Sequence, residues 1–192
     1  MGGCAHLLRW WQIMNLLYEI YHLVKGDSLY ILKRRGLKIG KNFYYGFGSI
    51  IDPDNCWHIT IGDNVTFAPR VHVIAHDAST KLFLNYTKIG KVTIGNTVFI
   101  GASSIILPGV TIGHEVVIGA GSVVSCDIPS RSVAYGNPAK VISTIDDFIT
   151  KKRSEMGIYP CFGNEYTRNG KVNSDKKREM NELMKDRFGY VV

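Results

Sequence analysis

Long apolar runs, closely spaced cysteines and any excess of one charge in the middle of the chain are all missing from this 192-residue sequence. The most apolar stretch, residues 7–24, is broken by Arg9 and Glu19 and falls short of the roughly 20 uninterrupted apolar residues that a membrane-spanning helix needs. It also lacks a small-residue cleavage site, so a signal peptide is not expected. Gly2 is not followed by Ser or Thr at position 6, where His6 stands, and the myristoylation pattern fails. The four cysteines, Cys4, Cys56, Cys126 and Cys161, show neither CxxC nor Cys/His ligand spacing, which argues against a zinc site and a disulfide framework and for a reducing cytoplasm. The net charge of +7 is confined to the ends: residues 39–150 carry seven Lys/Arg against eight acids. With no basic and aromatic residues interleaved on a nucleic-acid motif, binding of DNA or RNA is not the expected function.

What the chain does have is a repeat. Ile94, Ile100, Ile106, Ile112, Ile118 and Val124 recur every six residues, and Gly95, Gly101, Gly113 and Gly119 each follow one of them. Neither the helical period of 3.6 nor the strand period of 2 fits so long a run. If each six-residue unit is a short strand and a turn, three units close one triangular coil with the branched residue pointing inward. Stacked coils then bury an apolar column that no single coil could hide. The register extends back through Ile61, Phe67 and Val73 and more weakly through Ile39, Tyr45 and Ile51.

Two interruptions break the phase. From Ile51 to Ile61 the step is ten, so Pro53, Asp54, Asn55 and Cys56 are expected to bulge outward. From Val73 to Ile94 it is twenty-one, so part of 77–91 must leave the coil as a loop, the kind of place where function concentrates on a rigid scaffold.

The segment IGNTVFIGASSIILPGVTIGHEVVIGAGSVVSCDIP, followed by YGNPAKVI, resembles the hexapeptide-repeat acyltransferases, over roughly 37–142. The resemblance is strongest to maltose and galactoside acetyltransferases, streptogramin acetyltransferases and, through AHDAS, to acetyltransferases of capsule and exopolysaccharide clusters. It implies an all-β fold, a left-handed parallel β-helix, an exception to the usual right-handed crossover. It also implies an acetyl-CoA-dependent O-acetyltransferase acting on a sugar hydroxyl, assembled as a homotrimer whose donor grooves lie between subunits. A xenobiotic alcohol or an amino-sugar nitrogen stays open as the acceptor.

Acyl transfer from a thioester to a hydroxyl calls for a base, oxyanion donors and a groove that places the thioester carbon; no metal is required. His76 stands where the coil pattern gives out, and imidazole is the side chain that ordinarily titrates near neutrality. In the resembling family the catalytic histidine occupies that place, so the role of base is carried to His76, with Asp77 or a main-chain carbonyl as the candidate partner of its other nitrogen. His72, beside the inward Val73, is expected to face outward. The resemblance further implies a pantetheine path along Gly101, Ala102, Gly119 and Ala120, and an adenosine end near Ser125, Asn137, Pro138 and Lys140. Lys140 would pair with phosphate, while Cys126 replaces the usual basic residue. Asp52 matches the acidic residue by which sugar acetyltransferases hold acceptor hydroxyls, and Tyr45, with Tyr44 and Phe47, is a candidate to stack on a sugar ring. Gly48 and Phe99 replace the family's Asn and Trp, which leaves the acceptor open.

Three regions follow: an N-terminal helical segment (1–36), the β-helix domain (37–142) and a C-terminal helical extension (143–192). Residues 7–24 read as a helix, and Asp27 as the cap of a second helix running through Arg35; these would cover the first coil or lie peripherally on a membrane. Ser143-Thr144-Ile145-Asp146 opens a helix toward Met156. Met180, Leu183, Met184 and Phe188 mark a final amphipathic helix that Gly189 stops. Two other readings of the scaffold are a zinc carbonic anhydrase, which needs a third histidine ligand, and a non-enzymatic interaction module.

Overall fold

The computed structural model describes residues 28–184 and 188–192; the expected helix over 7–24, Asp27, His6 and His22 lie outside them. The chain divides into two compact units, Met1–Ile145 and Asp146–Val192.

The first unit is a three-faced parallel coil. Face one stacks β1 (Lys38–Ile39), β4 (Ile59–Ile61), β9 (Val92–Ile94) and β12 (Thr111–Ile112). Face two stacks β2 (Tyr44–Tyr45), β5 (Thr66–Phe67), β10 (Phe99–Ile100) and β13 (Val117–Ile118), and face three β3 (Ile50–Ile51), β6 (His72–Val73), β11 (Ile105–Ile106) and β14 (Val123–Val124). Successive strands visit the faces in rotation and pair in parallel, with Phe99 opposite Val117 and Ile105 opposite Val123, a spacing of three hexapeptides. The expected column is the core: Ile61, Phe67, Val73, Ile94, Ile100, Ile106, Ile112, Ile118 and Val124 are each at most 2 % exposed. Each such side chain contributes about 1.5–3 kcal/mol of apolar burial, which is the force that stacks the coils.

The turns explain the rest of the repeat. At two of the three edges the third residue after the inward side chain takes a positive φ (Asn42, Gly48, Asn64, Arg70, Thr97, Ser103, Glu115 and Gly121), and at the third edge Gly109 does so. The glycines that directly follow the isoleucines serve a different purpose. A Cβ at Gly101 would lie 2.4 Å from the Ala120 nitrogen of the next coil, so it is the close approach of coils, not the turn conformation, that demands glycine there. At the edge between faces two and three, buried Ser104 and Ser122 replace apolar residues. Ser104 Oγ and Ser122 Oγ both donate to the Gly119 carbonyl, and Gly136 N–H donates to Ser122 Oγ, tying neighbouring coils.

Helix α1 (Leu29–Arg34) precedes the coil, and its cap is Ser28, whose Oγ accepts the Ile31 N–H. Leu32 is fully buried and the thiol of buried Cys56, from the ten-residue step, donates to its carbonyl, so helix and bulge together close the first coil. The larger interruption is wholly extra. Ile61 pairs with Ile94, thirty-three positions on instead of eighteen, so no part of the excursion completes a coil. It forms an antiparallel hairpin, β7 (His76–Asp77) with β8 (Lys88–Ile89), whose tip carries the short helix α2 (Lys81–Leu84). After β14 the chain folds back as an antiparallel pair, β15 (Ser132–Gly136) and β16 (Ala139–Thr144), turning through a cis Asn137-Pro138 peptide.

In the second unit α3 (Ile145–Met156) begins where the Ser-Thr-Ile-Asp signature places it. Helix α4 (Ser174–Leu183), capped by Asn173, stops short of the expected Phe188, which instead packs its ring 4.4 Å from Tyr159. Aromatic stacking there outweighs the helical spacing of the apolar residues. The polar connection contains β17 (Cys161–Phe162), parallel to β18 (Tyr190–Val191). Tyr190 donates its hydroxyl to Glu155, which pushes the phenol up to about 12.

Candidate active site

The ten-residue step between β3 and β4 and the excursion after β6 arise at the same edge of the prism, one coil apart. Because Ile51 pairs with Val73, Asp52 lies beside Ile74, Ala75 and His76. Its carboxyl is 3 % exposed and fully engaged. One oxygen accepts the N–H groups of Asp54 and Asn55 (3.1 and 3.0 Å), which shapes the bulge. The other accepts the Ala75 N–H at 2.9 Å and meets His76 Nδ1 at 2.5 Å. A carboxyl that accepts three amide N–H bonds is an ionised acceptor, so the network assigns the ring proton to Nδ1 and leaves the Nε2 lone pair on the far side of the ring.

His76 keeps about a third of its side chain exposed, 34 %. It lines a cleft of about 720 Å³ with walls of Ile50, Pro53, Ile74, Leu107 and Pro108, and with Asp52, His72, Asp77, Lys88 and Ser125 as its other polar groups. Asp77 faces Lys88 across the hairpin. The Ser79 backbone N–H and hydroxyl, with Lys88 and His76 nearby, hold the Asp77 carboxyl below the usual carboxylate range. An apolar trough with one oriented imidazole and a few charged groups at its mouth suits a narrow ligand presenting a hydroxyl to Nε2.

Several sequence expectations move. The partner of His76 is Asp52, not Asp77 or a main-chain carbonyl. Asp52 is turned inward with both its oxygens engaged by the protein, and it borders the cleft beside His76. Tyr45 is directed into the coil, its ring beside Phe43 and Phe67 and its hydroxyl donating to the Ser49 carbonyl at 2.6 Å. It does not line the cleft. His72 faces outward on β6 as expected and lines the cleft beside His76. The donor candidates divide between two edges. Ser125 lies in the His76 cleft, whereas Gly101-Ala102 and Gly119-Ala120 stack at the edge between faces two and three, joined by the Gly121 N–H to the Ala102 carbonyl. Asn137 and Pro138 form the exposed turn after Gly136 at that second edge, and Lys140 is exposed on β16. Leu107, Pro108 and Lys88 were not singled out by sequence; counting coils from Val73 would have found the first two. Among the described residues no three His, Cys, Asp or Glu side chains are grouped as a metal site.

Residues 91–126 match the bacterial transferase hexapeptide (six repeats) family. Protein CapG of Staphylococcus aureus is 41 % identical over 68 % of this chain and 73 % of its own. Galactoside O-acetyltransferase of Escherichia coli (strain K12) is 44 % identical over 58 % of this chain and 55 % of its own, so the chain spans only about half the length of that relative. Among solved structures, a galactoside acetyltransferase in complex with coenzyme A superposes with a TM-score of 0.53 at 42 % identity, over 60 % of this chain and 58 % of that one. A coil of hexapeptides closed around an isoleucine column, matched over two thirds of the chain's length by CapG and over somewhat less by the galactoside acetyltransferases, places this chain in the hexapeptide-repeat acetyltransferase family.

Proposed function

We propose that the protein is an acetyl-coenzyme A-dependent O-acetyltransferase with a left-handed coil, and that His76 is its general base. The observation that carries this reading is the buried Asp52 carboxylate bound to His76 Nδ1, which presents Nε2 to the cleft. The acceptor hydroxyl gives its proton to Nε2 as its oxygen attacks the thioester carbon. Collapse of the tetrahedral adduct breaks the C–S bond, and the imidazolium returns the proton to the departing thiolate. Asp52 stabilises the imidazolium and fixes the ring. When bound, acetyl-coenzyme A supplies the activated acyl group; the stacked small residues Ala102 and Ala120 leave room for its narrow pantetheine arm. A sugar hydroxyl is the proposed acceptor, supported by the likeness to a galactoside O-acetyltransferase.

The two edges that divide the donor candidates support a homotrimer. The outward side chains of face one are Lys38, Thr60, Thr93 and Thr111, suited to water, whereas those of face three are Ile50, His72, Ile105 and Val123. In a cyclic assembly a covered face three would bring the Ala102-Ala120 edge of one copy to the His76 edge of the next. The compartment proposed is the cytoplasm, where the coenzyme and free thiols coexist.

The test is acetyl transfer to a panel of sugars, read by mass spectrometry. His76→Ala is expected to lower kcat by about 10²–10⁴-fold with coenzyme A affinity unchanged by calorimetry, and His72→Ala to lose less than about tenfold. An active His76→Ala enzyme would refute the assignment.

A further inference from the structure

Arg70 stands in the turn between β5 and β6, on the edge between faces two and three. The turn does not call for arginine: its backbone takes φ 62°, a conformation that glycine adopts without cost, as at Gly48 one coil earlier. Two other charged residues of the first unit share this conformation, Glu115 and Arg131, and they pair with each other. Among the described residues no carboxylate pairs with Arg70. Its side chain lines a hollow of about 280 Å³ with His72, Ser103 and Ile105. A guanidinium fork in a hollow that holds no acid is a seat for an anion.

The proposed assembly sets that seat beside the chemistry. Arg70 and His76 belong to one coil, at opposite ends of β6, so a cyclic arrangement about an axis along the coil brings the Arg70 of one copy to within a rung of the next copy's His76. On its own edge Arg70 lies one rung before Ala102-Ser103, where the Ser103 N–H donates to the Pro69 carbonyl at 3.0 Å. The track of small residues from Ala120 to Ala102, which leaves room for pantetheine, therefore runs on to Arg70. This edge faces the next copy in the assembly, so the hollow is half of a site that the neighbouring His76 cleft completes.

Charge selects what lies between the two halves. Both acids of the cleft are engaged: Asp52 holds Ala75 and His76, and Asp77 accepts the Ser79 N–H at 2.9 Å and lies opposite Lys88. Arg35 Nη1 donates to the carbonyl of Pro53, a wall of the cleft, so the surplus charge around it is positive. A donor to the reaction's oxyanion must be fixed in place beforehand, which a long side chain without a protein partner is not. A carboxylate on the acceptor gives the fork both of its hydrogen bonds.

We propose that the acceptor is an acidic sugar, a uronic or sialic acid, whose carboxylate is held by Arg70 of one copy while its hydroxyl meets His76 of the next. This rests on the acetyl-transfer reading and on the cyclic assembly, and narrows the acceptor that they leave open.

The test offers the full-length protein glucuronate, galacturonate and N-acetylneuraminate, each beside the same sugar reduced at its carboxyl group. At least one acid is expected to exceed its reduced partner in kcat/KM by about tenfold or more. Arg70→Gln should lower kcat/KM on that acid about 10–100-fold, chiefly through KM, with a loss on the reduced partner at least about fivefold smaller, and Arg70→Lys should recover part of it. Reassembled mixtures of R70Q and H76A should regain about a quarter of wild-type activity on the acid; no recovery overturns the placement of the two groups on different copies. A preference for the reduced sugars, or an equal loss on both series, overturns the proposal. So does dissociation of the R70Q oligomer in sedimentation, which would make Arg70 an ion-pair partner of the next copy. If no sugar is acetylated, the acetyl-transfer reading fails by itself and calorimetry of the three acids decides on Arg70. Binding weakened about tenfold or more in R70Q upholds the seat, and binding unchanged or absent overturns it.

Discussion

Asp52 shows how a single side chain can serve fold and chemistry together. It anchors the bulge through two N–H groups, pins the strand end at Ala75, and directs His76 into the cleft. Asp52→Asn keeps the volume and an acceptor oxygen but withdraws the charge that stabilises an imidazolium. The variant is expected to lose about 10²-fold in kcat while its acceptor KM stays near the wild-type value. A raised acceptor KM with kcat intact would return Asp52 to the acceptor-binding role that the family resemblance implies. His76 itself was legible because it ends the repeat. Its partner was hidden, because the two residues are twenty-four apart and meet only once the four extra residues of the ten-residue step lengthen the coil. Tyr45 could not be told from a sugar-stacking residue by sequence, since an aromatic on a column position and one on an outward position look alike until the register of the first coil is fixed.

Among elements, the repeat was readable in full where its spacing is unbroken, from β9 to β14, and the hexapeptide alone gave face, strand and core. The reason for the glycines was not readable, because a positive φ and a tight neighbour select the same residue. The two demands separate experimentally. Thr97 is β-branched with φ 58°, a conformation costing an L residue about 1–2 kcal/mol, so Thr97→Gly is expected to raise stability by about 0.5–1 kcal/mol despite the entropy glycine adds to the unfolded chain. Gly121, at φ 69°, has open space where a Cβ would go, so Gly121→Ala should lose about 1 kcal/mol through conformation alone. Denaturant melts of both variants check the pair; a destabilised Thr97→Gly would mean that the turn depends on the threonine side chain. The final helix was misread at its end because Phe188 fits a helical stripe equally well as it fits the aromatic cluster that takes it.

For the whole molecule, the proposed homotrimer would make catalysis a property of the assembly, since the site residues divide between two edges. If the His76 of one copy works with the Ala102-Ala120 edge of the next, His76→Ala and Ala120→Trp each inactivate, yet a mixed trimer contains sites with both parts intact. Equal mixing after unfolding and reassembly should restore about a quarter of wild-type activity, the chance that an intact His76 faces an intact groove. No recovery in mixed trimers would place both halves of a site on one chain.

The hairpin that carries His76 leaves and rejoins the coil at almost one point, where Gly90 N–H donates to the Ala75 carbonyl at 2.9 Å, and the strands on either side stack as though nothing lay between them. The scaffold is therefore blind to what is inserted there. Length and composition of the loop can drift without disturbing a single rung, so new ligands become accessible to selection through an exchangeable cassette, while His76 at its root stays in position.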